Sequence, residues 1–181
     1  VKYLTELIEE TKATILYLES VETVLNQAGL DEIAEIREEL IQTGFIRRRQ
    51  REKIQKRKKP EKYLASDGKT IILVGRNNLQ NEELTFKIAR KEELWFHAKD
   101  IPGSHVVISG NLNPSDEVKT DAAELAAYYS KGRLSNLVQV DMIDVKKLNK
   151  PTGGKPGFVT YTGQKTLRVT PDSEKIQSMK L

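Results

Sequence analysis

The sequence predicts an α+β chain: a mostly antiparallel sheet with two packed helices, preceded by an α-helical coiled-coil arm. Three observations carry that expectation. Apolar side chains in residues 2–28 recur at alternating spacings of four and three. A dense basic block, residues 47–59, ends at Pro60. Beyond it, short strand-like runs are separated by Gly, Pro and Asn turns, with one long helical stretch among them.

In the arm, Leu4, Ile8, Thr11, Ile15, Leu18 and Leu25 form a heptad stripe, with Glu22 in its polar slot. Gly29 is expected to end this helix through a left-handed cap. Asp31 then starts a second helix on Ile33, Ile36 and Leu40, and Gly44 stops it. Two such helices bury too little to stand alone, so the arm is expected to pack on missing helices or on a second copy.

Past Pro60, Tyr63–Ala65 and Thr70–Val74 read as strands around the Asp67-Gly68 turn. Residues Asn77–Ala89 read as a short helix with Leu79, Leu84, Phe86 and Ile88 on its apolar side. Leu94–Ala98 and His105–Ile108 are strands joined by a turn marked by Pro102-Gly103. Ser115 caps a long helix that buries Val118, Ala122, Leu125, Ala126 and Tyr129 and ends near Gly132. Leu137–Ile143 is a strand. Phe158–Tyr161 and Lys165–Val169 are expected to form a hairpin around Thr162-Gly163, and the tail after Pro171 is expected to fray.

Charge is partitioned along the chain. Residues 1–46 carry a net −7, residues 47–59 a net +8 and residues 60–181 a net +3. Nine cations in 13 residues form either a solvated linker or a polyanion site, and such density favours counterion release from nucleic acid. No run of about 18 apolar residues exists, so no membrane-inserted helix is expected. The absence of cysteine excludes disulfides and thiol chemistry. The chain opens on Val1 with no signal-peptide pattern and reads as a piece of a longer protein.

No catalytic constellation emerges, and the chain is not expected to be an enzyme. His97 and His105 are the only imidazoles, and no carboxylate pattern joins them into a metal site. Ser104 lies in Pro102-Gly103-Ser104-His105 rather than in a Gly-x-Ser-x-Gly elbow. In Gly153-Gly154-Lys155-Pro156-Gly157, Pro156 replaces the Ser or Thr of a nucleotide loop. That loop is left as a single-phosphate cradle or a flexible connection. No cofactor is expected.

Two stretches suggest RNA contact. Arg76, Asn77, Asn78, Gln80 and Asn81 follow an apolar strand and could pair with base edges and phosphates, or could cap a helix. In Trp95-Phe96-His97-Ala98-Lys99, alternation puts Trp95, His97 and Lys99 on one face. If Phe96 is inside, that face can stack on bases. Burial of the lone Trp is favoured instead, which makes His97 a core histidine.

These residues resemble a known family. Gly75–Asn81, the run Leu94–Ile108, Ala126–Lys131, Lys155–Val159, and Gln164–Leu167 with Val169–Pro171 are similar to the NFACT-R domain across residues 60–172. The resemblance implies four segments: a helical coiled-coil arm fragment at 1–46, a basic linker at 47–62, an NFACT-R RNA-binding domain at 63–172 and a tail at 173–181. It also implies a ribosome-associated, cytoplasmic quality-control factor. Such a factor contacts tRNA and the large ribosomal subunit while stalled nascent chains receive a C-terminal alanine tail. Some members are also described as fibronectin-binding adhesins, so fibronectin and the cell surface form the alternative. On the RNA reading, Arg76, Asn77, Asn78, Gln80 and Asn81 supply directional contacts, with Trp95, His97 and His105 as further candidates. Lys99, Lys131, Arg133, Lys155 and Lys165 would meet phosphates. The turn at Gly103 and Ser104 would admit a backbone closely.

Overall fold

The computed structural model describes residues 2–51, 53–54 and 56–181. Two helices, α1 (Lys2–Leu25) and α2 (Leu30–Gln42), precede a six-stranded sheet. The strands are β1 (Glu61–Leu64), β2 (Ile71–Val74), β3 (Leu94–Ala98), β4 (Val106–Ser109), β5 (Val138–Asp144) and β6 (Lys165–Val169). Their spatial order is β1-β2-β4-β3-β5-β6 and every pairing is antiparallel. The α+β expectation therefore holds.

Both faces of the sheet are covered, which the sequence reading did not anticipate. On one face, Tyr63, Ile72, Val74, Phe96, Val106 and Ile108 pack with α4 (Asp116–Tyr128) and α5 (Ser173–Met179). On the other, Leu73, Trp95, Val107 and Ile143 pack with Leu84, Val145 and Leu148. Alternation explains the division, since Trp95 and Phe96 point to opposite sides and each finds a core. Ser115 caps α4 as expected, accepting from the Val118 amide. Its helix ends at Tyr128, short of Gly132.

Several local expectations are corrected. Gly29 is extended, with φ −78° and ψ 172°, and begins α2 rather than ending α1. Its amide donates to Glu32 Oε2 at 2.7 Å, satisfying one terminal donor. Gly44, at φ +82°, does stop α2 in the left-handed conformation. Residues 78–88 are helical, but α3 (Asn78–Glu83) widens into a π-helical turn (Leu84–Ile88). That widening buries Leu84 and leaves Phe86 and Ile88 exposed. The segment 158–161 is no strand, because β6 takes the edge of β5 along its length. The segment lies over the sheet instead, packing Val159 and Tyr161 against the Trp95 core, with one bridge from Asn149 to Thr160. The tail forms α5, held by buried Ile176 and Met179.

The arm folds back on itself and onto the sheet domain. Tyr17, Val21 and Val24 of α1 pack with Ile36 of α2. The heptad stripe occupies another face. Leu4, Ile8, Ile15, Leu18 and Leu25 are exposed, so among the described residues that stripe is left uncovered and the coiled-coil arm is not confirmed. The basic segment runs beside α2. Arg48 pairs with Glu38 at 2.6 Å, Lys58 with Asp31 at 3.2 Å, and Arg57 donates to Gln42 at 2.8 Å. Part of its charge is thus neutralised within the chain.

Candidate functional site

The amide segment is built as a latch to the arm. Asn77 caps α3 by accepting from the Gln80 amide at 2.8 Å. Its Nδ2 and the Gln80 Nε2 donate to Glu35 Oε2 at 3.2 and 2.7 Å. Asn78 donates from its backbone and its side chain to Glu39, at 3.0 and 2.9 Å. Arg76 lies over the Tyr129 ring and donates to Glu32 at 2.9 Å. All five side chains, Asn81 included, are buried. The expected exposed amide face is therefore corrected: carboxylates of α2 already hold Arg76, Asn77, Asn78 and Gln80. Their pattern is legible only once α2 is known to dock there.

Burial shapes the electrostatics of this latch. Desolvation raises the Glu39 pKa, although hydrogen bonds from Asn78 and Tyr17 pull the other way. Burial likewise raises the Tyr17 hydroxyl, reinforced by the Glu39 charge.

A cleft of about 370 Å³ opens between α1 and the sheet domain. His97 and His105 stand within it, and the indole of Trp95 lies alongside both. The His97 ring stacks on the indole at 5.6 Å, and the His105 ring meets it edge-on at 5.0 Å. Tyr161, Val159 and Phe158 form one wall, and Ile101, Pro102 and Gly103 another. Asn78, Asn81, Leu16, Ser20, Asp100 and Gly157 complete the lining. Five residues expected to touch RNA (Asn78, Asn81, His97, Gly103 and His105) are thus brought to one cavity from distant stretches.

Register explains why His97 reaches this face. His97 opposes Asp141, which opposes Thr166, and directly opposed residues share a face. Asp141, which sequence reasoning missed, accepts from Thr166 Oγ1 at 2.6 Å and from the Tyr161 hydroxyl at 3.2 Å. It fixes the Tyr161 wall. Nothing in a lone mid-strand Asp signals that role before the register is known.

Both imidazoles are biased towards neutrality. Desolvation lowers His97 to about 4, opposed by the Gly103 backbone and the Asp141 charge. Desolvation, then His97, lowers His105 further below its ordinary value. His105 Nδ1 is within hydrogen-bond distance of Thr85 Oγ1, at 2.8 Å. Among the described residues no cluster of three or more ligating side chains could hold a metal.

The predicted cations divide. Lys99 adjoins Asp100 of the cleft, and the Lys131 amide donates to the Pro102 carbonyl at 2.9 Å. Lys155, two residues before Gly157 of the lining, lies 5.5 Å from the Phe45 ring. Arg133 is stacked on Tyr128, 4.0 Å above its ring, and bonded to its hydroxyl. Lys165 opposes Met142 and so shares the Phe96 face, away from His97.

Three further expectations are corrected. Ser104 is buried, its amide donating to the Tyr129 carbonyl at 2.9 Å. Gly103 approaches a backbone closely, but that backbone is its own chain's: a Cβ there would lie 3.2 Å from the Ser130 Cα and the Tyr129 carbonyl oxygen. In the glycine loop, two amides are not available to a phosphate, because the Gly154 amide donates to the Pro151 carbonyl at 3.0 Å and the Gly157 amide donates to Glu82 at 3.4 Å.

The structure is thus a six-stranded antiparallel sheet with a helix pair latched to it and an aromatic cleft at the seam. Residues 59–163 match the family described as NFACT protein RNA binding domain, and residues 1–59 match NFACT N-terminal and middle domains. The chain belongs to the NFACT family. It is 93% identical over 180 residues to the Rqc2 homolog RqcH of Streptococcus pneumoniae serotype 2 (strain D39 / NCTC 7466), covering 99% of this chain and 33% of that protein. It is 43% identical over 180 residues to the Rqc2 homolog RqcH of Bacillus subtilis (strain 168), covering 97% of this chain and 31% of that one. The chain thus spans about a third of these relatives. The solved C-terminal part of the fibronectin/fibrinogen-binding protein from Streptococcus suis superposes with a TM-score of 0.99 at 78% identity. That match covers 100% of this chain and 73% of the solved one. No helix among the described residues is long and apolar enough to cross a membrane.

Proposed function

We propose that this chain is the RNA-contacting C-terminal part of a cytoplasmic ribosome quality-control factor. It contacts tRNA and the large ribosomal subunit while stalled nascent chains are tailed with alanine, and it carries no chemistry of its own. The observation that carries this reading is the match of residues 59–163 to an RNA-binding domain. Kinship with RqcH proteins supports the ribosomal setting. Lys99, Lys131 and Lys155, whose backbones adjoin the cleft-lining segments, and the basic segment 47–59 are suited to phosphates.

Titration of tRNA against the chain at several salt concentrations tests it. Binding should weaken with a log–log slope of about −0.7 to −0.9 per phosphate neutralised. Charge reversal at Lys99, Lys131 and Lys155 should flatten that slope. No binding at low salt, or a salt-independent affinity, overturns the reading. Fibronectin capture is the rival, favoured by the name of the Streptococcus suis protein. Saturable fibronectin binding by nucleic-acid-free protein, unchanged by nuclease, would support it.

A further inference from the structure

We propose that the cleft between α1 and the sheet is a pocket for a single unstacked nucleobase of single-stranded RNA, an inference that rests on the RNA-binding reading above. Its size fits: about 370 Å³ lies at the lower end of small-ligand pockets, enough for one nucleoside and too little for a duplex. Its surfaces fit as well. The rings of His97 and Tyr161 line the wall, and Trp95 backs both, stacked with His97 at 5.6 Å and meeting Tyr161 edge-on at 5.3 Å. Base stacking on such rings tolerates any sequence because every base has a π-face.

The charge pattern separates a base from a phosphate. Among the described residues no Lys or Arg lines the cavity, and Asp100 is the one charged lining residue. Both histidines are held neutral by burial. An anion inside would therefore meet a carboxylate with no cation to offset it. An uncharged heterocycle meets stacking surfaces and hydrogen-bonding edges instead. Asn78 supplies one such edge. Its Nδ2 is taken by Ser20 and Glu39, while its Oδ1 accepts no hydrogen bond among the described residues. That oxygen suits an exocyclic amino group. Two lysines flank the lining segments in the backbone, Lys99 next to Asp100 in sequence and Lys131 through its amide to the Pro102 carbonyl. A strand inserting one base here would place its flanking phosphates near them.

Trp95 is the single tryptophan of the chain and reports on the site directly. The 181-residue chain is titrated with an octamer of adenylate and with an abasic ribose-phosphate oligomer of equal length. Both carry the same phosphates. The adenylate octamer should change the tryptophan emission and bind roughly ten-fold tighter or better than the abasic oligomer. Tyr161→Ala and His97→Ala should bring the two affinities within about two-fold while leaving the abasic affinity unchanged. Tyr161→Phe should retain the preference, since it keeps the ring. The wild-type comparison needs no variant, so a misfolded mutant cannot mask the result. Equal affinities with unchanged emission overturn the pocket and leave the RNA reading standing. No binding of either oligomer at low salt overturns both. Emission changes caused by a phenylalanine-bearing peptide and not by the bases overturn the pocket in favour of a peptide site.

Discussion

Asn78 holds Glu39 with two donors at once, its backbone amide 3.0 Å from Oε2 and its Nδ2 2.9 Å from Oε1. The Tyr17 hydroxyl adds a third donor at 2.7 Å. This carboxylate, 1% exposed, joins α1, α2 and α3 at one point. It therefore determines how the arm sits on the RNA-binding domain, and with it one wall of the cleft.

Removing either partner should cost more than the pair itself contributes. Asn78→Ala takes from the buried carboxylate its one amide side-chain donor, which also serves Ser20, and Glu39→Ala removes the acceptor shared by the Asn78 amide, the Asn78 Nδ2 and the Tyr17 hydroxyl. Each should destabilise the fold by about 3 kcal/mol. The double variant should lose less than the sum, with a coupling of about 1–3 kcal/mol, in urea unfolding. Additive losses would show that the two do not interact.

The helical arm, the sheet domain and the long α4 were legible because each carries a local pattern: heptad spacing, short apolar runs, and a Ser cap before a 3.6-residue repeat. The latch was not. Asn77 and Gln80 look identical in sequence whether they face RNA or Glu35, and only the docking of α2 decides it. Tyr161 misled for a related reason. Alternation in Phe158–Tyr161 suits a strand, but β5 has only one free edge and β6 occupies it. The tail was misjudged because Ile176 and Met179 are too few to register as a stripe, yet Asp172 caps their helix and the sheet buries both. Burial of Trp95 is legible from its being the lone tryptophan, while the part of its cover supplied by Val145, Leu148, Val159 and Tyr161, 50 residues and more away, has no local signature.

His97 makes the fold sensitive to acid. Its folded pKa, about 4, lies below the 6.5 of the unfolded chain, so below pH 6.5 the unfolded chain binds more protons. Stability is complete above that value and falls as pH drops through 6.5 towards 4, by roughly 2 kcal/mol at pH 5. His105 acts in the same direction. Glu39 acts oppositely, because its raised pKa means that the folded state holds its proton more tightly as acid is added. Comparison with His97→Phe isolates the histidine. The variant keeps a ring on Trp95 and should lose about 2 kcal/mol less between pH 7 and pH 5 in urea unfolding. An identical pH profile would refute the assignment.

The C-terminal helix should contribute to global stability. Ile176, 1% exposed, belongs to the core that also contains Tyr63 and Leu125. Ile176→Ala should cost about 2–5 kcal/mol. Ile54→Ala, at a side chain 72% exposed, should stay within about 0.5 kcal/mol. Matching urea midpoints for the two variants would mean that α5 is frayed in solution.

Lys175 ties the same helix to a buried charge. Its Nζ lies 2.8 Å from Asp121 Oδ1, and Asp121 is fully buried. The carboxylate also accepts from the Ser66 amide at 2.8 Å and the Ser66 hydroxyl at 2.9 Å, joining α4 to the turn after β1. Lys175→Met keeps the aliphatic stem but strips Asp121 of its counter-charge while its hydrogen bonds remain. The loss should be about 1.5–3 kcal/mol, above that of an exposed ion pair, because the acid cannot return to water without unfolding α4. Lys175→Arg should restore most of it. Screening distinguishes the two kinds of pair: raising salt from 0.1 to 1 M should leave most of the Lys175 contribution intact, since ions cannot reach Asp121. If salt alone reproduces the effect of Lys175→Met, the pair is a surface contact and α5 is held by its apolar side chains alone.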